Sequence, residues 1–214
     1  MLEQKFTNIY ANQSWVPAGH SNYESLSGEG STLAYTENLR KELPKLFDQF
    51  NIKSVLDAPC GDLNWMQLVI KERPELIYTG GDIVKSLVES HTEKFKNNKN
   101  VNFINLDITA DTLPSADLMI CRDCLFHLSN EHIKMFFKNF AQSNITYLLT
   151  TSHAVGHQGD IESGGYRSLN LLQQPFHFLP NYLYEIKDWV SPHPERKMYL
   201  WTREQIALFA SKFD

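Results

Sequence analysis

The chain has 214 residues, of which 42% are hydrophobic, and its formal net charge is −5. This composition is typical of a globular α/β domain, and the acidic balance argues against a nucleic-acid partner bound through its phosphates. The chain also lacks an apolar stretch of ~18 residues for a membrane span, a signal-peptide core and enough cysteines for a disulfide framework. We therefore expect no membrane contact and a cytoplasmic location.

Residues 1–35 form an aromatic-rich N-terminal segment without a clean helical or strand period. Two interpretations stay open for this segment, because it can wrap the outside of the domain or form a lid over a pocket. Within it, Tyr23 is a candidate substrate-binding residue. From Thr36 to Phe50 the apolar residues recur at helical spacing, which predicts a helix packed on the domain.

Short apolar runs then alternate with helical segments. Strands separated by helices imply right-handed crossovers and a doubly wound, mostly parallel sheet. Two further extended runs flank a Pro-containing turn near the C-terminus and predict an antiparallel hairpin. We expect a single α/β domain over 1–214. The predicted strands cover 54–58, 77–83, 101–105, 116–121, 145–151, 183–190 and 197–202, and the predicted helices between them cover 65–71, 85–96 and 130–140.

Three of these strands end in a carboxylate, at Asp57, Asp82 and Asp107. The spacing from Asp57 to Asp82 is close to that at which the second strand of a nucleotide-binding βαβ unit places an acid on a ribose diol. Because the carboxyl ends of parallel strands meet at one edge, the pattern predicts an adenosine-containing ligand along that edge. A strand-end turn or a helix cap is the alternative role for each acid.

These strands, acids and hairpin together resemble the class I S-adenosylmethionine-dependent methyltransferases over roughly Ser54 to Thr202. The first motif of that family, acid-x-Gly-x-Gly-x-Gly, reads Asp57-Ala58-Pro59-Cys60-Gly61-Asp62-Leu63 here, so that only the middle glycine is kept. The resemblance implies a seven-stranded Rossmann-like methyltransferase fold and S-adenosylmethionine as the cofactor. It implies that Asp57 and Gly61 contact the methionyl end, Asp82 the ribose and Asp107 with Ile108 the adenine, and it adds Ala58, Pro59, Ile83 and Arg122 to the cofactor-binding residues.

The segment 117–129 is similar to the fourth-strand motif of the same family, and it lacks the Asn/Asp-Pro-Pro-Tyr sequence of enzymes that methylate nucleic-acid amines. An oxygen, a carboxyl group or a small-molecule nitrogen is therefore the expected acceptor. His127 follows this strand and is the candidate general base, with a helix-cap or packing role as the alternative. Cys121-x-x-Cys124 could belong to a zinc site, but buried cysteines are usually small apolar residues, so we expect no metal.

Residues 152–180 form a long Gly-, His- and Pro-rich segment, which predicts a loop on the acceptor side. Arg167 and Asn170 are its candidate substrate-binding residues, and Arg167 could clamp a phosphate or a carboxylate or could merely brace the loop. The stretch from Asp160 to Pro180 also resembles methyltransferases of bacterial capsule and surface-polysaccharide gene clusters.

The expected function is methyl transfer from S-adenosylmethionine to an oxygen, or a nitrogen, of a small polar acceptor that bears a phosphate or a sugar. A non-catalytic scaffold that binds a nucleotide or S-adenosylmethionine stays open as an alternative, as does a nicotinamide-dependent oxidoreductase. The oligomeric state stays open.

Overall fold

Strands and helices alternate along the chain in a computed structural model that describes residues 1–20, 22–157 and 159–213. Ser21, Gln158 and Asp214 lie outside the described residues. They belong to the segments 1–35 and 152–180 and to the domain 1–214 that were predicted from the sequence. The strands are β1 (Ser54–Asp57), β2 (Ile77–Asp82), β3 (Val101–Asn105), β4 (Leu118–Cys121), β5 (Tyr147–His153), β6 (Tyr184–Lys187) and β7 (Arg196–Thr202). The helices are α1 (Leu2–Ala11), α2 (Glu37–Gln49), α3 (Met66–Glu72), α4 (Lys85–Phe95), α5 (Asn130–Gln142) and α6 (Arg203–Ala210).

The seven strands form one sheet in the order β3-β2-β1-β4-β5-β7-β6. Strands β1 to β5 are parallel, and β7 lies antiparallel between β5 and β6. The predicted seven-stranded, mostly parallel sheet with a C-terminal antiparallel pair is confirmed. The register of β5 and β7 pairs His153 with Arg196, which brings an arginine to the carboxyl end of β5.

Apolar residues cover both faces of the sheet, as the near-continuous hydrophobicity of its central strands requires. Alternate residues of β4 belong to different clusters, since Met119 packs with α5 and α6 whereas Ile120 packs with α2 and α3. Helix α5 presents Ile133, Phe136, Phe137 and Phe140 to its cluster, all fully buried, at the spacing of one helix face. The two clusters, one on each face of the sheet, hold the strands and their carboxyl ends in place.

Three features differ from the sequence-based expectation. Helix α1 was not predicted; none of its residues is fully buried, and Leu2 and Phe6 pack partly buried against the core. Helix α6 was also missed, although Thr202 and Gln205 form a capping box that is readable in the sequence. Strand β6 ends at Lys187, before the predicted limit, and the next residue, Asp188, turns inward to an arginine. Over the described part of the chain, no helix has the length and apolar character to cross a membrane.

Candidate functional site

A cavity of about 280 Å³ lies at the carboxyl ends of the parallel strands. Its floor is formed by the loops after β1, β2, β3 and β4. Leu2, Phe6 and Tyr10 of α1 and the following Trp15 form another wall. Of the two interpretations of residues 1–35, the geometry therefore favours the lid. Helix α1 is tied to the 152–180 loop by contacts of Lys5 Nζ with the Glu162 carboxylate and the Ser163 carbonyl.

Gly61 is the glycine of the loop after β1, and its surroundings explain why a glycine stands there. Its φ is +56°, and a Cβ at this position would lie 2.6 Å from Ser27 Oγ and 3.2 Å from the Tyr10 hydroxyl oxygen. The third glycine position of the family motif holds Leu63, which adopts the left-handed region itself, with φ +58°. Of these two positions, Gly61 is the one that combines the left-handed backbone with a close approach of another segment.

Asp62, the next residue, fastens the N-terminal segment to this loop. Its carboxylate accepts hydrogen bonds from Ser25 Oγ at 2.8 Å and from the Leu26 N–H at 2.6 Å. Its own N–H donates to Ser27 Oγ at 3.1 Å, and the same oxygen lies 2.8 Å from the Tyr10 hydroxyl oxygen. The wall formed by the N-terminal segment and the loop after β1 are therefore one hydrogen-bonded unit.

Two buried carboxylates lie beneath the cavity on neighbouring strands. Burial raises the pKa of Asp57 to about 7, although the Tyr78 hydroxyl donates to it at 2.7 Å. Burial likewise raises the pKa of Asp82 to about 6, although its carboxylate accepts the N–H of Val84 at 2.9 Å and of Gly61 at 3.0 Å. Asp82 thus lines the cavity as predicted and also braces the loop after β1.

The predicted adenine-contacting residues also reach the cavity. Asp107, Ile108 and Ile83 line it, together with Pro59. Asp107 also accepts the N–H of Thr109 at 2.9 Å, so the turn role that was the alternative is present as well. Ala58 does not line the cavity, because it is fully buried within the sheet edge, where its N–H donates to the Ile120 carbonyl at 3.0 Å.

Beyond β4 the cavity is bordered by two arginines that are held in ion pairs. Arg122 donates to both oxygens of Asp188, at 2.8 and 3.1 Å, and to the Gly30 carbonyl at 2.7 Å. Arg196 donates to Asp123 at 2.6 Å. Burial raises the pKa of Asp123, but the charges of Arg122 and Arg196 lower it by more, so that the net pKa is below the usual value. Asp123 therefore stays ionised. Asp123 has a φ of +50°, a strained value of the kind found at functional sites.

His127 lines the same part of the cavity. Its Nδ1 lies 2.7 Å from the Gly165 carbonyl, which can only accept, so Nδ1 carries the proton and Nε2 is left with its lone pair. Burial lowers the pKa of His127, so the ring is neutral at physiological pH. The helix-cap alternative does not hold, because the N-cap of α5 is Ser129, whose side chain accepts the His132 N–H. The Trp15 ring lies 5.1 Å from the His127 ring.

None of the three predicted substrate-binding residues lines the cavity. Arg167 is buried and donates to the Leu128 carbonyl and to Asn130 Oδ1, both at 2.8 Å, so it braces the loop. Asn170 likewise braces the loop through the Ala154 carbonyl at 2.8 Å. The ring of Tyr23 contacts His20 and stays outside the cavity lining. Sequence reasoning instead missed several residues that do line the cavity, among them Trp15, Glu29, Asp123, Tyr166 and Arg196.

The cysteines behave as apolar residues. Cys60, Cys121 and Cys124 are all buried free thiols. Burial raises the pKa of Cys60 and Cys121 well above the usual range, so both remain protonated. Among the described residues, no three His, Cys, Asp or Glu side chains converge as a metal site would require.

The cavity thus has two ends, which we name after the ligands that the sequence predicts at this edge of the sheet. The cofactor end consists of Asp57, Gly61, Asp82, Ile83, Asp107 and Ile108. The acceptor end consists of Trp15, Glu29, Asp123, His127, Tyr166 and Arg196.

Part of the chain is similar to a known protein family. Residues 55–143 match a family model described as a methyltransferase domain. A search of curated proteins finds no match.

Solved structures of methyltransferases share the fold. A Leishmania major S-adenosylmethionine-dependent methyltransferase is 17% identical, with 93% of this chain and 82% of that chain covered and a TM-score of 0.64. The methyltransferase domain of bacterial CtHen1-C is 14% identical, with 78% and 98% covered and a TM-score of 0.59. Haemonchus contortus phosphoethanolamine N-methyltransferase 1, in complex with phosphoethanolamine and S-adenosylhomocysteine, is 12% identical, with 99% and 53% covered and a TM-score of 0.63. At these identities the likeness shows the fold alone.

Proposed function

We propose that this chain is an S-adenosylmethionine-dependent methyltransferase that transfers the methyl group to a hydroxyl oxygen of a small, uncharged polar acceptor such as a sugar; the match of 55–143 to a methyltransferase domain supports the first part. An amine nitrogen is the second candidate atom. One observation carries the proposal. Among the described residues that line the cavity, the only lysine or arginine side chains are Arg122 and Arg196, and both are already paired with carboxylates.

The residues at the cofactor end fit S-adenosylmethionine. Asp57 and the loop at Gly61 would hold the methionyl group, Asp82 would border the ribose, and Asp107 with Ile108 would border the adenine. A Cβ at Gly61 would meet Ser27 Oγ at 2.6 Å, so the absence of a side chain lets this loop lie directly against the N-terminal segment. The carboxylates suit a ligand that carries a sulfonium and an ammonium group. When bound, S-adenosylmethionine supplies a methyl group that its sulfonium sulfur activates for displacement.

His127 would act as the general base. Its Nδ1–H stays on the Gly165 carbonyl, so Nε2 would accept the proton of the acceptor hydroxyl as the carbon–oxygen bond forms. The negative charge of Asp123 would stabilise the imidazolium that results. Base catalysis contributes about 10²- to 10⁴-fold, whereas alignment of the reacting atoms contributes up to ~7–11 kcal/mol, so geometry makes the larger contribution.

Aromatic rings and carboxylates border the acceptor end, and together they favour a sugar. Trp15 and Tyr166 offer ring faces, and Glu29 offers oxygens that accept from hydroxyl groups. A phosphate group would require a free cationic side chain, and the guanidinium of Arg167 is used within the loop. The resemblance of Asp160 to Pro180 to capsule and surface-polysaccharide methyltransferases agrees with a sugar acceptor.

A screen for release of S-adenosylhomocysteine tests the proposal. The acceptors are a hexose glycoside, the matching amino sugar and the matching sugar phosphate, each with S-adenosylmethionine in excess. We expect release with the glycoside and little with the phosphate. Release only with the phosphate contradicts an uncharged acceptor. Binding of S-adenosylhomocysteine with no turnover on any acceptor supports the scaffold alternative, and binding of a nicotinamide dinucleotide in its place supports the oxidoreductase.

A further inference from the structure

His91 lies on α4 and contacts the loop after β1. Its side chain is buried, and its Nε2 lies 2.8 Å from the Gly61 carbonyl oxygen. His91 does not line the cavity, whereas Gly61 does. The hydrogen bond therefore holds the Gly61 carbonyl toward α4, on the side of the loop away from the cavity. No feature of the sequence motif indicated this residue.

The peptide between Gly61 and Asp62 is held at both of its polar groups. His91 binds its carbonyl, and Ser27 Oγ accepts its N–H at 3.1 Å. The N–H of Gly61, in the preceding peptide, donates to Asp82 at 3.0 Å. A glycine at φ +56° has no side chain that restricts its backbone, so the orientation of its carbonyl depends on these external partners.

His91 is a neutral donor in this arrangement. Burial lowers the pKa of His91, and the charge of Lys94 lowers it further. The Gly61 hydrogen bond and the Asp62 charge raise it by less, so that the net pKa is below the usual value. A carbonyl oxygen can only accept, so Nε2 carries the proton. The ring lies 5.2 Å from that of Phe103, which fixes its position against β3.

We propose that His91 is a positioning residue for the cofactor loop. By holding the Gly61 carbonyl away from the cavity, it keeps the partial negative charge of that oxygen from facing the methionyl carboxylate of S-adenosylmethionine. The role rests on the use of this cofactor. It concerns only the methionyl part of the ligand, so a ligand that lacks this part is not affected.

Calorimetric titration of three variants with two ligands tests this role. His91→Phe keeps an aromatic ring and removes the donor, whereas His91→Gln places an amide donor near the position of Nε2. Thr92→Val is the matched control, because it removes a hydrogen bond of 2.8 Å to the Val88 carbonyl on the same helix without touching the loop. The ligands are S-adenosylhomocysteine and adenosine, which lacks the methionyl group.

We expect His91→Phe to raise the dissociation constant of S-adenosylhomocysteine about 10-fold, the effect of one buried hydrogen bond, and to leave that of adenosine unchanged. His91→Gln should recover most of the lost affinity, and Thr92→Val should match the wild type. Equal weakening of both ligands, or no weakening of S-adenosylhomocysteine, overturns the proposal. If His91→Phe does not fold, His91→Asn, whose amide is too short to reach, replaces it. Failure of the wild type to bind S-adenosylhomocysteine would instead refute the use of the cofactor.

Discussion

The two ends of the cavity are built in different ways. The cofactor end consists of loops that directly follow β1, β2 and β3, so the sheet itself brings their residues together. The acceptor end gathers Trp15, Asp123, Tyr166 and Arg196 from distant parts of the chain. Ion pairs and ring contacts hold these residues, such as Arg196 with Asp123 and Trp15 with His127. The first end therefore depends on local strand and turn patterns, and the second on long-range packing.

The largest effect is expected where the long-range packing depends on a buried ion pair. Asp188 has a fully buried side chain and receives two hydrogen bonds from Arg122. Asp188→Ala would remove the bidentate partner of the buried Arg122 guanidinium and leave it the Asp123 carboxylate at 3.4 Å and the Gly30 carbonyl. This loss should cost about 3–5 kcal/mol of folding free energy. Urea unfolding measures this cost. Glu37→Ala, which removes an exposed partner of Lys41, should change stability little. A small loss for Asp188→Ala would mean that the ion pair does not maintain the acceptor end.

The next effect concerns catalysis and separates the two ends functionally. His127→Ala should lower kcat by about 10²-fold, because the proton acceptor is lost, and should leave the affinity for S-adenosylhomocysteine unchanged. Steady-state kinetics and calorimetry measure the two quantities with the acceptor found by the screen. His20→Ala, at a ring that contacts Tyr23 outside the cavity, is the matched control. A loss of only a few fold in kcat would reassign His127 to packing.

A pH-dependent effect is expected at the cofactor end. Burial raises the pKa of Asp57 to about 7 from its usual 3.8, so the folded protein holds a proton that the unfolded chain releases. The stability linked to this group is complete below about pH 4 and is lost as the pH rises toward 7. Asparagine does not titrate, so the free energy of unfolding of Asp57→Asn should not fall in this way. Relative to wild type it should rise by about 2 kcal/mol between pH 5 and pH 7.

Urea unfolding at the two pH values measures this difference. The matched control is Asp117→Asn. Burial raises the pKa of Asp117, but hydrogen bonds from the N–H groups of Lys53 and Ser54 lower it by more. Asp117 therefore titrates below pH 5. The free energy of unfolding of Asp117→Asn should therefore differ from that of wild type by the same amount at pH 5 and at pH 7. A constant difference for Asp57→Asn as well would show that Asp57 is ionised in the folded protein throughout.

The smallest effect is expected for Arg167, and it shows whether this residue braces the 152–180 loop or binds the acceptor. Arg167 donates two hydrogen bonds to Leu128 and Asn130, and a lysine can reproduce only part of this pattern. Arg167→Lys should cost about 1 kcal/mol of stability and leave the acceptor KM unchanged. Thermal unfolding and kinetics with the acceptor varied measure both. A marked rise in KM would return Arg167 to the acceptor end.

The cofactor end was largely predictable from the sequence, because each strand places its own terminal residue. Asp57, Asp82 and Asp107 were assigned to the sheet edge, and all three line the cavity. The additional bracing of Gly61 by Asp82 could not be foreseen, because it depends on how the loop folds back on β2. His91 escaped notice for the same reason, since nothing in a helical pattern reveals which buried histidine faces a loop.

The acceptor end was predicted poorly, and particular residues show why. Arg167 and Asn170 were chosen because their loop follows β5, yet a long loop needs internal hydrogen bonds, and these two side chains supply them. Arg196 reaches the site only because β7 runs antiparallel to β5. Trp15 reaches it because α1 turns its apolar side to the cavity and buries no residue in the core. Neither fact is encoded near the site in the sequence.

The hydrogen bonds of Asp62 hold one part of the N-terminal segment directly against the loop after β1. Ser25 and Leu26 are fixed beside Gly61, whereas α1 contains no buried residue. Displacement of α1 would break the contacts of Tyr10 with Ser27 and of Lys5 with Glu162, and the packing of its apolar residues against the core. Displacement of Ser25 and Leu26 would disturb the loop itself. Movement of α1 would therefore leave the hydrogen bonds of Asp62 in place, so ligand exchange past α1 and a rigid binding loop are compatible in one short segment.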